Sequence, residues 1–190
     1  AIFSTHGASN HSVEERAELD YYATDPKAVQ MLLERERFSH YLWEPACGGG
    51  HIANVLIEHG YNVICSDIVD RGYLHQTATE NFLETSAIPR KIRDIITNPP
   101  YALAKEFVEH ALDISQESTK VAMLLKLTFL EGIKRKELFK KYPPKTIYVF
   151  SSRIGCWKNG IKPNKTLNAV CYAWFIWEKG YQGEPRIRWI

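Results

Sequence analysis

Three short stretches of this 190-residue chain carry residue types whose spacing could do chemistry. The first is Glu44-Pro45-Ala46-Cys47-Gly48-Gly49-Gly50. Three glycines let the backbone turn sharply and approach a ligand with no side chain in the way. Amides at the start of the following helix could face a polar ligand, although a plain tight turn would use the same residues. The second is Asp67, seventeen residues after Gly50 at the end of the next expected strand. An acid there can accept hydrogen bonds from both ribose hydroxyls of an adenosine-containing cofactor. A loop-entry or helix-capping aspartate is the alternative. The third is Asn98-Pro99-Pro100-Tyr101, at the carboxyl end of a further strand, where open α/β sheets place ligands.

The last stretch points to a definite kind of reaction. Two prolines remove backbone donors and leave carbonyls to accept. Asn98 adds a side-chain carbonyl, and Tyr101 a flat face for stacking. The Asn98 side chain and the Pro99 carbonyl could together hold both N–H groups of a planar amino group. That draws the nitrogen towards tetrahedral geometry and frees its lone pair for attack on an electrophilic methyl group. Orientation and electrostatic stabilisation suffice, and no strong base is needed. A strand-ending Pro-Pro turn is the structural alternative. As to the cofactor, the glycines depart from the G-x-G-x-x-G spacing, position 53 being Ala. Ala is tolerated there, so a nicotinamide dinucleotide is disfavoured and stays open. A Walker A loop is excluded, because no Gly-Lys-Ser/Thr follows.

These residues need elements to position them. Thr24-Asp25-Pro26 predicts a helix start, with Val29, Leu32, Leu33 and Phe38 as its apolar face. Tyr41 to Ala46 reads as a strand, His51 to His59 as a helix stopped by Gly60, and Asn62 to Ile68 as a buried strand. Residues 70–93 are weakly patterned and place no strand. Asp94 to Thr97 is a strand, Ala102 to Ile114 a helix, and Val121 to Leu130 a strongly apolar strand. Ile133 to Tyr142 is a basic amphipathic helix ended by Pro143-Pro144. Thr146 to Phe150 and Ala169 to Trp177 are strands with a polar loop between them. The alternation argues for an α/β fold: a Rossmann-like, doubly wound sheet, mostly parallel, with an antiparallel C-terminal strand.

Taken together, Glu44-Pro-Ala-Cys-Gly-Gly-Gly, Asp67 and Asn98-Pro-Pro-Tyr resemble class I S-adenosylmethionine-dependent methyltransferases acting on exocyclic or amide nitrogens. The likeness is nearest to the small stand-alone DNA adenine-N6 methyltransferases of phages and prophages. Asp20-Tyr-Tyr-Ala-Thr-Asp-Pro26 resembles the segment that helps close over the methionine part of the cofactor in that group. The resemblance spans about residues 20–180. It implies S-adenosylmethionine as cofactor, with Glu44, Ala46, Gly48 and Gly50 lining it. It implies Asp67 on the ribose with Ile68 beside it, and Thr24 and Pro26 near the methionine end. Asn81-Phe82-Leu83 takes the place of an Asp-Phe-Leu-like motif beside the adenine, with Asn81 departing from the acid there. Asn98, Pro99, Pro100 and Tyr101 are then the catalytic residues that hold and stack the target base.

Composition sets the remaining bounds. An apolar fraction of 45%, with 5 Trp, 8 Phe and 10 Tyr, excludes a disordered chain. No apolar run is long enough for a membrane span, and Ala1 to Asn10 has no secretory pattern. Cys47, Cys65, Cys156 and Cys171 form no C-x-x-C pair, and the seven His are scattered, so no metal site is expected. A reducing, cytoplasmic protein is the expectation. Net charge is only +2, but residues 132–167 hold ten Lys/Arg against one Glu, leaving the remainder acidic. That stretch is either a polyanion-binding face or a solvated helix face followed by a lysine-rich loop. Residues 1–20 read as a tail or extra helix, and 21–190 as the methyltransferase domain. Within it, 151–167 is a candidate substrate loop carrying Arg153, Trp157, Lys158, Asn159, Lys162 and Lys165. DNA is the leading acceptor. An RNA base or a protein glutamine would suit the same chemistry, and an idle cofactor- or nucleic-acid-binding module is the reading from another class. So small a recognition surface implies a short target or help from a partner subunit, such as a second copy.

Overall fold

The computed structural model describes residues 21–158, 160 and 170–190. The expected tail at 1–20, and Asn159, Lys162 and Lys165 of the candidate loop, lie outside the described residues. The chain opens with β1 (Tyr22–Thr24) and α1 (Pro26–Arg35), whose first turn is capped by the Asp25 carboxylate accepting from the Lys27 amide at 3.0 Å. Then come β2 (Tyr41–Glu44), α2 (His51–Glu58), β3 (Asn62–Asp67) and β4 (Gln76–Thr79). After a short 3₁₀ turn, β5 (Asp94–Thr97) leads into α3 (Ala104–Asp113) and β6 (Lys120–Lys126). The rest is α4 (Ile133–Lys141), β7 (Thr146–Val149), β8 (Cys156–Lys158), β9 (Tyr172–Glu178) and β10 (Arg186–Trp189).

Eight strands form one sheet in the order β10-β7-β9-β6-β5-β2-β3-β4. Only β9 runs antiparallel to its neighbours, β6 and β7. It is inserted inside the sheet, and the last strand, β10, lies at the edge parallel to β7. The period of two along the strands divides the core between two faces. Trp43, Ile95, Met123, Leu125 and Phe175 pack with Phe107, Val108 and Leu112 of α3 and Leu138 of α4. Their chain neighbours Leu42, Ile96, Leu124 and Trp174 pack with Val29 and Leu32 of α1 and Ile52, Val55 and Leu56 of α2. The result is a three-layer α/β/α sandwich. Three indoles are fully buried, and each N–H has an acceptor: Trp43 gives to Ser66 Oγ, Trp174 to the Ala28 carbonyl and Trp177 to the Tyr142 carbonyl.

Four local expectations need correction. Gln76–Thr79 is an edge strand in the weakly patterned stretch where none was placed; its side chains alternate half-buried and exposed, so it carries no apolar run. The strand expected over 121–130 ends at Lys126, the last residue registered against β9, and continues as a 3₁₀ turn. Cys156–Lys158, expected as loop, pairs antiparallel with β1, with Thr24 opposite Cys156. Arg186–Trp189 adds a strand beyond the last one expected.

Candidate active site

The chain builds outward from β2 to β3 and β4, then returns to lay β5 and β6 on the other side. The switch point between β2 and β5 is where open parallel sheets form a crevice at their carboxyl ends. Glu44 ends β2, Asp67 ends β3, and Asn98 follows the last residue of β5. Three neighbouring strands thus deliver three polar side chains to one cleft of about 820 Å³, its open mouth included.

The glycine turn shapes one wall. Gly48 and Gly50 have φ of 53° and 77°, in the left-handed region that favours glycine. A Cβ on Gly50 would run into the Tyr73 ring, and one on Gly48 into Tyr21. The Gly48 amide donates to Asp67 Oδ2 at 2.8 Å, and the Val69 amide to Oδ1 at 3.0 Å. Asp67 therefore ties the glycine turn to the end of β3 while still lining the cleft. Each carboxylate oxygen keeps capacity for a further donor.

Glu44 is 1% exposed, and its Oε2 has no hydrogen-bond partner. Burial, with Asp67 nearby adding repulsion, pushes its carboxyl well above the ordinary carboxylate range, against a backbone hydrogen bond at Ala53 that lowers it. Burial likewise lifts the Cys47 thiol to about 12, with Glu44 and Asp67 contributing. Arg71, which lines the same cleft, acts on Cys47 in the opposite direction.

The opposite end is built around the Asn98 carboxamide. Asn98 Nδ2 donates to the Tyr22 carbonyl at 3.0 Å and to Thr24 Oγ1 at 3.1 Å, and it lies 3.9 Å from Cys156 Sγ. Its Oδ1 is buried without a partner. Pro99 and Pro100 line the cleft beside it. The Tyr101 ring packs 5.1 Å from Tyr22 and 5.9 Å from Tyr172, with Lys126 Nζ 4.8 Å from its centroid. Burial raises the Tyr101 hydroxyl well above its ordinary range. Tyr101 does not line the cleft itself; it backs the rim behind Tyr22.

Most of the other sequence-derived residues reach the cleft. Thr24, Ala46, Ile68, Asn81 and Phe82 line it, whereas Pro26 is the first residue of α1, and Gly48 and Gly50 contribute backbone shape. The Asn81 amide is engaged locally: Oδ1 accepts from the Leu83 amide and Nδ2 donates to Glu84 Oε1. Phe82 is buried against Trp43, Phe107 and His110. Several lining residues were not proposed for the site, among them Tyr21, Tyr22, His51 and Arg71. Tyr21 and Tyr22 stand within the Asp20–Pro26 run, and His51 directly follows the glycines. Arg71, whose guanidinium lies 4.6 Å from the Tyr21 ring centroid, comes from the weakly patterned stretch and left no signal to find it. Burial lowers the His51 imidazole.

The basic stretch is partly neutralised. Lys140 pairs with Glu137, Lys141 with Asp113, and Lys145 with Glu178. Arg135 donates to the carbonyls of Thr128 and Glu131. Among the described residues no three His, Cys, Asp or Glu side chains gather as a metal site, and no helix is long and apolar enough to cross a membrane.

No model of a known protein family matches the chain, and no curated protein matches its sequence. Solved structures do resemble it. A candidate RNA methyltransferase, PH1948 of Pyrococcus horikoshii, superposes with a TM-score of 0.57 at 12% identity, over 80% of this chain and 81% of that one. A TehB-like SAM-dependent methyltransferase of Corynebacterium glutamicum gives 0.54 at 10% identity, over 80% and 86%. A candidate hemolysin of Lactococcus lactis gives 0.60 at 12% identity, over 90% and 94%. At such identities the likeness is one of fold, and the fold is the Rossmann-like sheet of the class I methyltransferases.

Proposed function

We propose that this chain is an S-adenosylmethionine-dependent N-methyltransferase whose acceptor is the N6 amino group of adenine in DNA. The observation that carries the reading is the Asn98 amide. Its NH₂ is held by two oxygens, and its carbonyl oxygen is buried, unpartnered and beside the Pro99-Pro100 wall of the cleft. A buried acceptor without a donor costs about 1–3 kcal/mol, and an incoming N–H removes that cost. The residues also suit the cofactor. Glu44 and Asp67 present acidic groups to a ligand bearing a sulfonium and an ammonium, Asp67 retains acceptors for ribose hydroxyls, and Ile68, Leu103 and Phe107 supply apolar lining. Bound there, S-adenosylmethionine supplies an electrophilic methyl group.

The chain's own part is orientation. Asn98 Oδ1 and the Pro99 carbonyl accept from the two N–H groups of the acceptor amine and leave its lone pair available. Neither group is a strong base. An adenine in duplex DNA reaches this rim only when flipped out of the stack, at a cost of a few kcal/mol. Lys126 beside Tyr101 and the cations of α4 favour a polyanionic acceptor. An RNA base is the second reading, favoured by the fold likeness to PH1948.

The test uses methyl-labelled S-adenosylmethionine with unmethylated genomic DNA, total RNA and cell protein in separate reactions, and Asn98→Ala as the blank. Label recovered as N6-methyladenine in DNA is expected. Label in RNA or in protein glutamine keeps the mechanism and replaces the acceptor. Absence of label in all three, despite cofactor binding, makes the chain an idle binding module and overturns the reading.

A further inference from the structure

An asparagine amide can face a ligand with either end. Here the choice decides the chemistry. An oxygen turned to the cleft accepts from an amine, whereas an NH₂ turned to it meets donors with donors. Something in the fold must select the orientation. The Tyr22 carbonyl, which can only accept, selects the NH₂ end, and Thr24 Oγ1 takes the second N–H; both belong to β1. β1 is not part of the main sheet; it pairs with β8, and the Asp25 amide donates to the Gly155 carbonyl at 3.0 Å. Thr24 is 1% exposed, so water does not compete for its hydroxyl.

Resting on the methyl-transfer reading above, we infer that Thr24 is a positioning residue for catalysis: its hydroxyl holds the Asn98 amide with the oxygen towards the acceptor amine. The segment that leads into the candidate substrate loop then serves a second purpose. Paired with β1, Cys156–Lys158 clamps the strand that aims the catalytic amide, and Cys156 closes the third side of the Asn98 NH₂ group.

Thr24→Val keeps the shape and removes the acceptor, and Thr24→Ser restores it. With cofactor and acceptor saturating, kcat of Thr24→Val is expected to fall on the order of tenfold to a hundredfold, with the cofactor Kd little changed. Thr24→Ser should return most of the rate. Unchanged kcat in Thr24→Val overturns the inference, as does a loss confined to cofactor affinity, which would make Thr24 a cofactor contact. A second measurement does not depend on turnover. By NMR, the Asn98 side-chain amide protons should exchange slowly with solvent in the wild-type protein and faster in Thr24→Val. Free exchange in the wild type overturns the inference. A wild-type protein that transfers no methyl group but shows protected Asn98 protons loses the proposed function and keeps the positioning contact.

Discussion

The two ends of the cleft each bury an oxygen without a partner, but they do so on different terms. At the glycine end the orphan is Glu44 Oε2, on a carboxyl that can relieve its position by taking a proton. At the other end it is Asn98 Oδ1, on an amide that has no such escape and is pinned by Tyr22 and Thr24. The first end adapts to pH and answers to charge. The second is rigid and answers to geometry. On the proposed reading, the first end meets a cation and the second orients a neutral amine, and the fold keeps the two apart.

The comparison is sharpest at Asn98. Asn98→Ala should lower methyl transfer by about 10²–10³-fold while cofactor affinity, read by calorimetry, stays near wild type. If both parameters fall together, the two ends are not independent. Asp67→Ala should cost about 1–3 kcal/mol of cofactor binding, because a charged acceptor is lost and the Gly48 and Val69 amides are released. Retained affinity would remove Asp67 from the site.

Glu44→Gln gives a smaller effect with a definite sign. The folded-state carboxyl of Glu44 titrates above its unfolded value. Its favourable contribution to stability is therefore fully present at low pH and lost as pH rises through the raised value. The ligand-free Glu44→Gln protein should be more heat-stable than wild type at neutral pH, and the gap should close on acidification. Cofactor affinity should move the other way, weaker in Glu44→Gln, and in the wild type stronger as pH rises and the carboxylate forms. A thermal melt across pH, with and without cofactor, reads both. A gap that does not change with pH would mean that Glu44 is ionised in the empty cleft.

Much of this was legible in the sequence because strands buried on both faces announce themselves. Val63-Ile64-Cys65 and Val121 to Leu125 are apolar runs, and the glycine turn and the Pro-Pro turn mark the ends of the strands before them, β2 and β5. Short strands without such runs were not legible. Gln76–Thr79 lies at a sheet edge, and its polar side chains suit water as well as a neighbour. β1 and β8 are three residues each and exist because they find one another across the chain, a property no local window contains. For the same reason the partners of Asn98 were out of reach: the carboxamide was readable as an acceptor, but not what would aim it.

The β1–β8 pairing also has a consequence in time. Residues 22–24 and 156–158 are separated by nearly the whole central sheet, and closing so long a loop is slow and entropically opposed until the intervening strands are in place. The contacts that aim the Asn98 amide are accordingly expected to form late in folding, which pulsed hydrogen exchange would read. On the proposed reading, the acceptor side of the cleft is complete only when these two distant segments meet.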